Sequence, residues 1–181
     1  AAPRAAYGRA EDASALRTIL TKRSPEGGNG RKEGKMAAFN VTAKEFRNQI
    51  VSLMARYFGV KPEEASKTQL YQATCICVRD LLTQTRVNFK KRVREQNAKQ
   101  VYYMSMEFLL GRSLKNHLFN MGITDQVAAA VKDLGADIEE LYAFEPDAGL
   151  GNGGLGRLAA AYMDALTSEG YAASGFSIMY D

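Results

Sequence analysis

The sequence predicts an α/β fold, and three observations carry that reading. Two short runs rich in apolar, aromatic and small residues, 101–106 and 171–180, have the composition of buried strands. Ahead of and between them lie stretches whose apolar residues recur at helical spacing. A glycine-rich turn then opens the last helical stretch just before the second strand.

The elements follow in chain order. Residues 1–36 read as a flexible basic tail: they are rich in Ala, Arg and Gly, and Ser24-Pro-Glu-Gly-Gly-Asn-Gly30 cannot hold a helix or a strand. The opening Ala1–Ala10 carries arginines and no acid until Glu11. That composition fits the remnant of an organelle-targeting segment, and it fits a disordered extension equally well. Thr42-x-x-Glu45 is a capping box, and Phe46, Ile50, Leu53, Met54 and Tyr57 fall on one face before Gly59 ends the pattern. A second helix is expected from Thr68. Its Leu70, Ala73, Cys77, Leu81 and Thr85 keep helical spacing into a basic cluster suited to a helix carboxyl end. After the strand at Val101–Met106 come helices near 112–121 and 125–134, closed by Gly122 and Gly135. An acidic helix near 137–145 stops before Pro146. The last helix is expected to begin at Arg157 and to end at Gly170. No internal repeat is present.

Composition narrows the function classes. The 181 residues suit one domain with a tail, and 46% apolar residues allow a core of useful size. The net charge of +4 is concentrated in two places: the first 36 residues and the cluster Arg86, Lys90, Lys91, Arg92, Arg94 and Lys99. Neither cluster has interleaved aromatics or a known nucleic-acid motif, so nucleic acid is not the expected partner. Cys75 and Cys77 lie two apart in a helix, where their side chains diverge; they form no disulfide framework and no metal-ligand spacing. A reducing, cytoplasmic location is the expectation, with an organelle (mitochondrion or plastid) the alternative raised by the amino terminus. No apolar run approaches the ~18 residues of a membrane span.

The informative chemistry is Gly149-Leu-Gly-Asn-Gly-Gly-Leu-Gly156, with five glycines in eight residues ahead of a strong helix former series. Backbone without Cβ atoms approaches a ligand closely, and the first amides of a helix point outward at the positive end of its dipole. A phosphate, or a sugar carrying one, is the natural ligand. Gly151-x-Gly153-x-x-Gly156 also satisfies the dinucleotide fingerprint, but the preceding Phe144-Glu-Pro-Asp147 is no strand, and no acidic ribose ligand is placed where that site needs one. No lysine followed by Ser or Thr makes a P-loop of it. A plain helix-opening turn with no ligand remains the competing reading.

The string Gly149-Leu-Gly-Asn-Gly-Gly-Leu-Gly-Arg-Leu-Ala-Ala160, with Tyr102-Tyr-Met-Ser-Met-Glu-Phe-Leu-Leu-Gly-Arg-Ser-Leu-Lys-Asn116 and Val78-Arg-Asp80 upstream, resembles the glycogen and starch phosphorylase family. The resemblance covers about residues 40–181 and is densest from 101 onward. It implies a glycosyltransferase that splits α-1,4-glucan with inorganic phosphate to glucose 1-phosphate. It also implies pyridoxal phosphate as cofactor, an allosteric homodimer, and two Rossmann-like domains (the GT-B arrangement) with the active site in the cleft between them. On that basis residues 37–181 would be an incomplete amino-terminal phosphorylase-like domain, behind the tail of 1–36.

By the same resemblance Asn152, Gly153, Gly154 and Leu155 approach the glucosyl phosphate, with the Gly154 amide as the leading donor. Arg157 either adds to that anion field or forms a structural ion pair. Glu107 resembles the carboxylate lining the glucose subsite, and the alternative is a strand-end charge paired with Arg112. Tyr102 and Tyr103 are expected in the core, and His117 in a surface or packing role. Several features depart from the family pattern: Val93 and Arg94 stand where animal-type members stack an adenine effector, Leu109 replaces an aromatic, and no regulatory phosphoserine motif is recognisable among residues 1–40. The family's pyridoxal-bearing lysine and its catalytic residues are expected beyond Asp181, so no catalytic residue and no metal ligand is expected within this chain. Two functions therefore compete: a portion of a glucan phosphorylase inactive by itself, or a truncated, non-catalytic structural subunit docked in a larger protein assembly.

Overall fold

In the computed structural model the described residues are 39–178; the basic tail expected over 1–36 lies outside them. They fall into two compact units, a helical unit of residues 39–82 and 111–147 and a loop unit of residues 83–110 and 148–178.

The helical unit opens with α1 (Ala43–Leu53). The capping box is formed in full: the Glu45 amide donates to Thr42 Oγ1 at 3.2 Å, and the Thr42 amide donates to Glu45 Oε2 at 2.9 Å. Phe46, Ile50, Leu53 and Met54 are buried as their spacing predicts, but Tyr57 is 62% exposed. The cause is a π-type turn at Met54–Phe58, closed by Gly59 at φ 65°. A hydrogen bond spanning five residues adds one residue to the turn, which rotates later side chains by about 100° off the apolar stripe.

A short 3₁₀ turn (Pro62–Glu64) leads into α2 (Lys67–Glu95). Its start is set one residue before the expected Thr68 by a second capping box. The Gln69 amide donates to Ser66 Oγ at 3.2 Å, and the Ser66 amide donates to Gln69 Oε1 at 2.9 Å. Leu70, Ala73, Thr74, Cys77, Val78 and Leu82 form its buried stripe. Residues from Thr83 onward belong to the loop unit, and Arg92 and Arg94 sit in the final turn. Burial pushes the Cys75 thiol up to about 11 and the Cys77 thiol up to about 12, so both are inert thiols rather than nucleophiles.

Three short helices complete the helical unit: α3 (Leu114–Met121), α4 (Thr124–Asp133) and α5 (Ile138–Ala143). α4 packs on α1, and Val127, Ala130 and Val131 of α4 are buried, as are Phe46 and Ile50 of α1 and Leu118, Ile123 and Leu141. His117 is 6% exposed, which makes it a packing residue. The amino end of α3 is capped from a distance. Glu145 Oε1 accepts from the Ser113 hydroxyl at 3.0 Å and from the Ser113 amide at 2.6 Å, and the Leu114 amide donates to both carboxylate oxygens at 3.0–3.1 Å.

In the loop unit β1 (Gln100–Met104) and β2 (Ala172–Phe176) pair in parallel, with Gln100 opposite Ala172 and Met104 opposite Phe176. α6 (Gly154–Ser168) precedes β2 and packs on it. This is a strand–helix–strand crossover, with residues 111–147 inserted before the helix, so the α/β class holds. Both strands are shorter than expected, and α6 starts three residues earlier than Arg157. Phe108, Ala159, Met163 and Ala173 form the small core, with Val101, Tyr103, Leu110 and Leu166 packed around it. Tyr103 meets Phe108 edge-on at 6.0 Å, as a core aromatic should. Tyr102 points the other way, 59% exposed beside Phe176; strand alternation forces neighbouring side chains to opposite faces. Among the described residues no helix is long and apolar enough to cross a membrane.

Candidate functional site

The glycine turn lies beyond the carboxyl ends of the parallel strands, where open α/β sheets bind ligands. Its wall is the segment after β1. Ser105 fixes this segment: its amide donates to the Phe176 carbonyl at 3.0 Å and its hydroxyl to the Glu107 carbonyl at 2.8 Å. From there the backbone laces the turn on both sides. The Phe108 amide donates to the Leu150 carbonyl at 2.6 Å, and the Leu109 amide donates to the Gly156 carbonyl at 3.0 Å.

That lacing explains two of the glycines. A Cβ at Gly151 would lie 2.8 Å from the Leu109 nitrogen, and one at Gly156 would lie 3.0 Å from the same atom and from Glu107 Cβ. At Gly151 no real side chain tolerates that distance to backbone, so only glycine lets the two segments approach there; at Gly156 a Cβ would be tight, and its neighbours would have to give by a few tenths of an ångström. Gly153 and Gly154 differ, because a Cβ at either would have nothing within 4 Å.

The sequence-predicted site residues come together here. The Glu107 carboxylate accepts the Asn152 amide at 3.3 Å, and Arg112 is committed separately, its Nη1 donating to the Tyr142 carbonyl at 3.5 Å. Gly153 is the extended residue before α6, with φ −137° and ψ −170°, and no side chain caps the helix. Its carbonyl accepts the Arg157 amide at 3.0 Å. The amides of Gly154 and Leu155, in the first turn, have no partner among the described residues. Asn152, Gly154, Leu155 and Arg157 are all exposed, and Arg157 makes no ion pair among the described residues. The result is an open, uncapped helix start with a half-buried carboxylate at its side. Such a start attracts an anion through its amides and dipole, while the carboxylate favours a hydroxyl donor over a second anion. Among the described residues no group of His, Cys, Asp or Glu is placed to hold a metal ion.

Sequence reasoning missed Ser105 and the packing role of Gly151 and Gly156. The 151–153–156 spacing was the available signal for the latter.

Comparison with known proteins gives this site a context. The family model described as carbohydrate phosphorylase matches residues 131–181, which include the glycine turn, α6 and β2. Glycogen phosphorylase of Haemophilus influenzae is 39% identical over 141 residues, 78% of this chain and 17% of the relative. That of Chlamydia pneumoniae is 46% identical over 120 residues, 66% of this chain and 15% of the relative. Over the matched residues, this chain belongs to the glucan phosphorylase family. The brain form of glycogen phosphorylase from Bos taurus is likewise similar, 43% identical over 117 residues that cover 65% of this chain and 14% of the relative. The chain thus spans about a sixth of the length of the phosphorylases it matches.

Proposed function

We propose that the glycine turn receives the phosphate of a glucosyl phosphate, and that the chain supplies one wall of an α-glucan phosphorylase active site. The reaction is phosphorolysis of an α-1,4-glucan end to glucose 1-phosphate. The single observation that carries this reading is the uncapped start of α6, with the Gly154 and Leu155 amides unpartnered among the described residues and open space where the Gly153 and Gly154 side chains would be.

Each residue then has a task. The Gly154 and Leu155 amides donate to phosphate oxygens, where preorganised donors are worth most once water is excluded. Asn152 and Gly153 form the rim over which the sugar passes. Glu107, held by the Asn152 amide, accepts a sugar hydroxyl and so orients the ring. Arg157, free of an ion pair among the described residues, adds positive field at the first turn of α6. In this reading residues 37–181 are part of one Rossmann-like domain, and the whole enzyme works as a dimer in the cytoplasm.

Pyridoxal phosphate, which the family resemblance implies, supplies an acid–base phosphate when bound. The turn offers amides and a carboxylate but no lysine: the described lysines of the loop unit, Lys90, Lys91 and Lys99, lie on α2 or ahead of β1. These residues do not fit the Schiff-base end of the cofactor.

The test is titration of the 181-residue chain with glucose 1-phosphate and inorganic phosphate, read on backbone amide resonances. Shifts at Gly153, Gly154 and Leu155 that vanish in Gly154→Val are the expected result. Resonances that stay still, or that move equally in the variant, would reject the assignment.

A further inference from the structure

A groove of about 530 Å³ runs between α3 and α5, built from the helical unit alone. Lys115, Asn116 and Phe119 of α3, with Arg112 from the segment just before it, line one side, and Glu139 and Tyr142 of α5, with Glu145 just after it, line the other. None of these residues takes part in the glycine turn. The volume is within the range of small-molecule sites, roughly 300–1,000 Å³.

The charges of the groove are already matched to one another. Lys115 Nζ contacts Glu139 at 2.9 Å and stands 5.2 Å from the centre of the Tyr142 ring. Glu145 spends its oxygens on the Ser113 and Leu114 amides. An anion entering here would face two carboxylates, and a cation would face Arg112 and Lys115. A neutral ligand meets no such opposition. Yet hydrogen-bonding capacity is left over: the Asn116 amide, the remaining Lys115 and Arg112 protons, and the second lone pairs of Glu139. The Tyr142 hydroxyl is buried and has no hydrogen-bond partner among the described residues, so it is not one of these exposed groups. An apolar platform stands beside these groups, because Phe119 is 76% exposed on the groove side of α3 while Leu114, Leu118 and Met121 fill the core side.

We propose that this groove binds a neutral oligosaccharide, the C–H face of one ring lying on Phe119 and its hydroxyls bridging Lys115, Asn116 and Glu139. A polyhydroxylated, uncharged molecule with an apolar face satisfies the matched charges, the spare donors and the aromatic platform together. The ligand class comes from the groove itself. Choosing an α-glucan as the first probe rests on the proposed function.

The experiment titrates the 181-residue chain separately with maltopentaose, cellopentaose and inorganic phosphate, reading the amide resonances of Lys115, Asn116 and Phe119. Either oligosaccharide should move them, and Phe119→Ala should weaken that binding by about tenfold without changing the unfolding midpoint, since the ring is on the surface. Gly154→Val should leave it untouched, which separates this site from the glycine turn. Phosphate moving these resonances, or neither oligosaccharide moving them, overturns the proposal; maltopentaose acting only at Gly153–Leu155 also overturns it while leaving the proposed function standing.

Discussion

Gly151 and Gly156 sit against the backbone of the Glu107–Leu109 segment, whereas Gly153 and Gly154, in the same turn, face open space. The first pair is explained by the fold: a side chain at Gly151 would enter its neighbour, and one at Gly156 would press on it. The second pair is not. Gly153 has φ −137°, and Gly154 is the first helical residue, so neither backbone conformation requires glycine. Packing therefore accounts for two of these four glycines, and the other two read as room kept clear for something outside the protein. Altering the four positions one at a time separates the two pairs.

Gly151→Ala should have the largest effect. Its methyl would lie 2.8 Å from the Leu109 nitrogen and 3.0 Å from the Phe108 carbonyl carbon, both backbone atoms that cannot step aside. Overpacking of this kind costs roughly 3 kcal/mol, enough to move the urea midpoint of the chain strongly downward. A loss under about 1 kcal/mol would mean the lacing of Phe108 and Leu109 to the turn is loose. Gly156→Ala should come next. Its methyl meets the Leu109 nitrogen and Glu107 Cβ at 3.0 Å, but alanine inside a helix recovers up to about 1 kcal/mol of propensity, leaving a net loss near 1 kcal/mol. Because Glu107 Oε2 is 3.1 Å from the same point, this variant should also shift the Asn152 amide resonance, and an unmoved Asn152 would argue that Glu107 is not held there.

What could be read from the sequence follows the range of the interaction. Both α1 and its start were legible because a capping box is closed within four residues, and the same logic applied to Ser66 and Gln69 would have placed α2. Tyr57 was misplaced because a π-type turn leaves no composition signal while shifting the phase of everything after it. The cap on α3 was illegible for a plainer reason: Glu145 reaches Ser113 across 32 positions. At the glycine turn, the anion chemistry was visible in the run of glycines ahead of a helix. Its division into packed and open positions was not, since that depends on where residues 107–109 pass. Reading all the glycines as loop also set the start of α6 too late. Gly154 and Gly156 lie in its first turn, where the fold keeps residues of poor helix propensity because one leaves its amide exposed and the other lets the chain pass.

Gly154→Ala should have the smallest effect on stability, and it decides most about the comparison. The methyl has nothing within 4 Å to strike, and the helical backbone accepts alanine. Removing a glycine also lowers the entropy of the unfolded chain, so the variant should be unchanged or a few tenths of a kcal/mol more stable than the parent. Its binding should move in the opposite direction. A methyl beside the leading amide blocks the approach of a phosphate oxygen, and losing one such hydrogen bond to a charged group, worth about 1.5–3 kcal/mol, should weaken phosphate by about tenfold or more. A fold that tolerates the change while the ligand does not would assign Gly154 to the ligand alone. If Gly154→Ala instead unfolds as readily as Gly151→Ala, the open side of the turn is packed in solution, and the distinction between the two pairs disappears along with the reason for expecting an anion there.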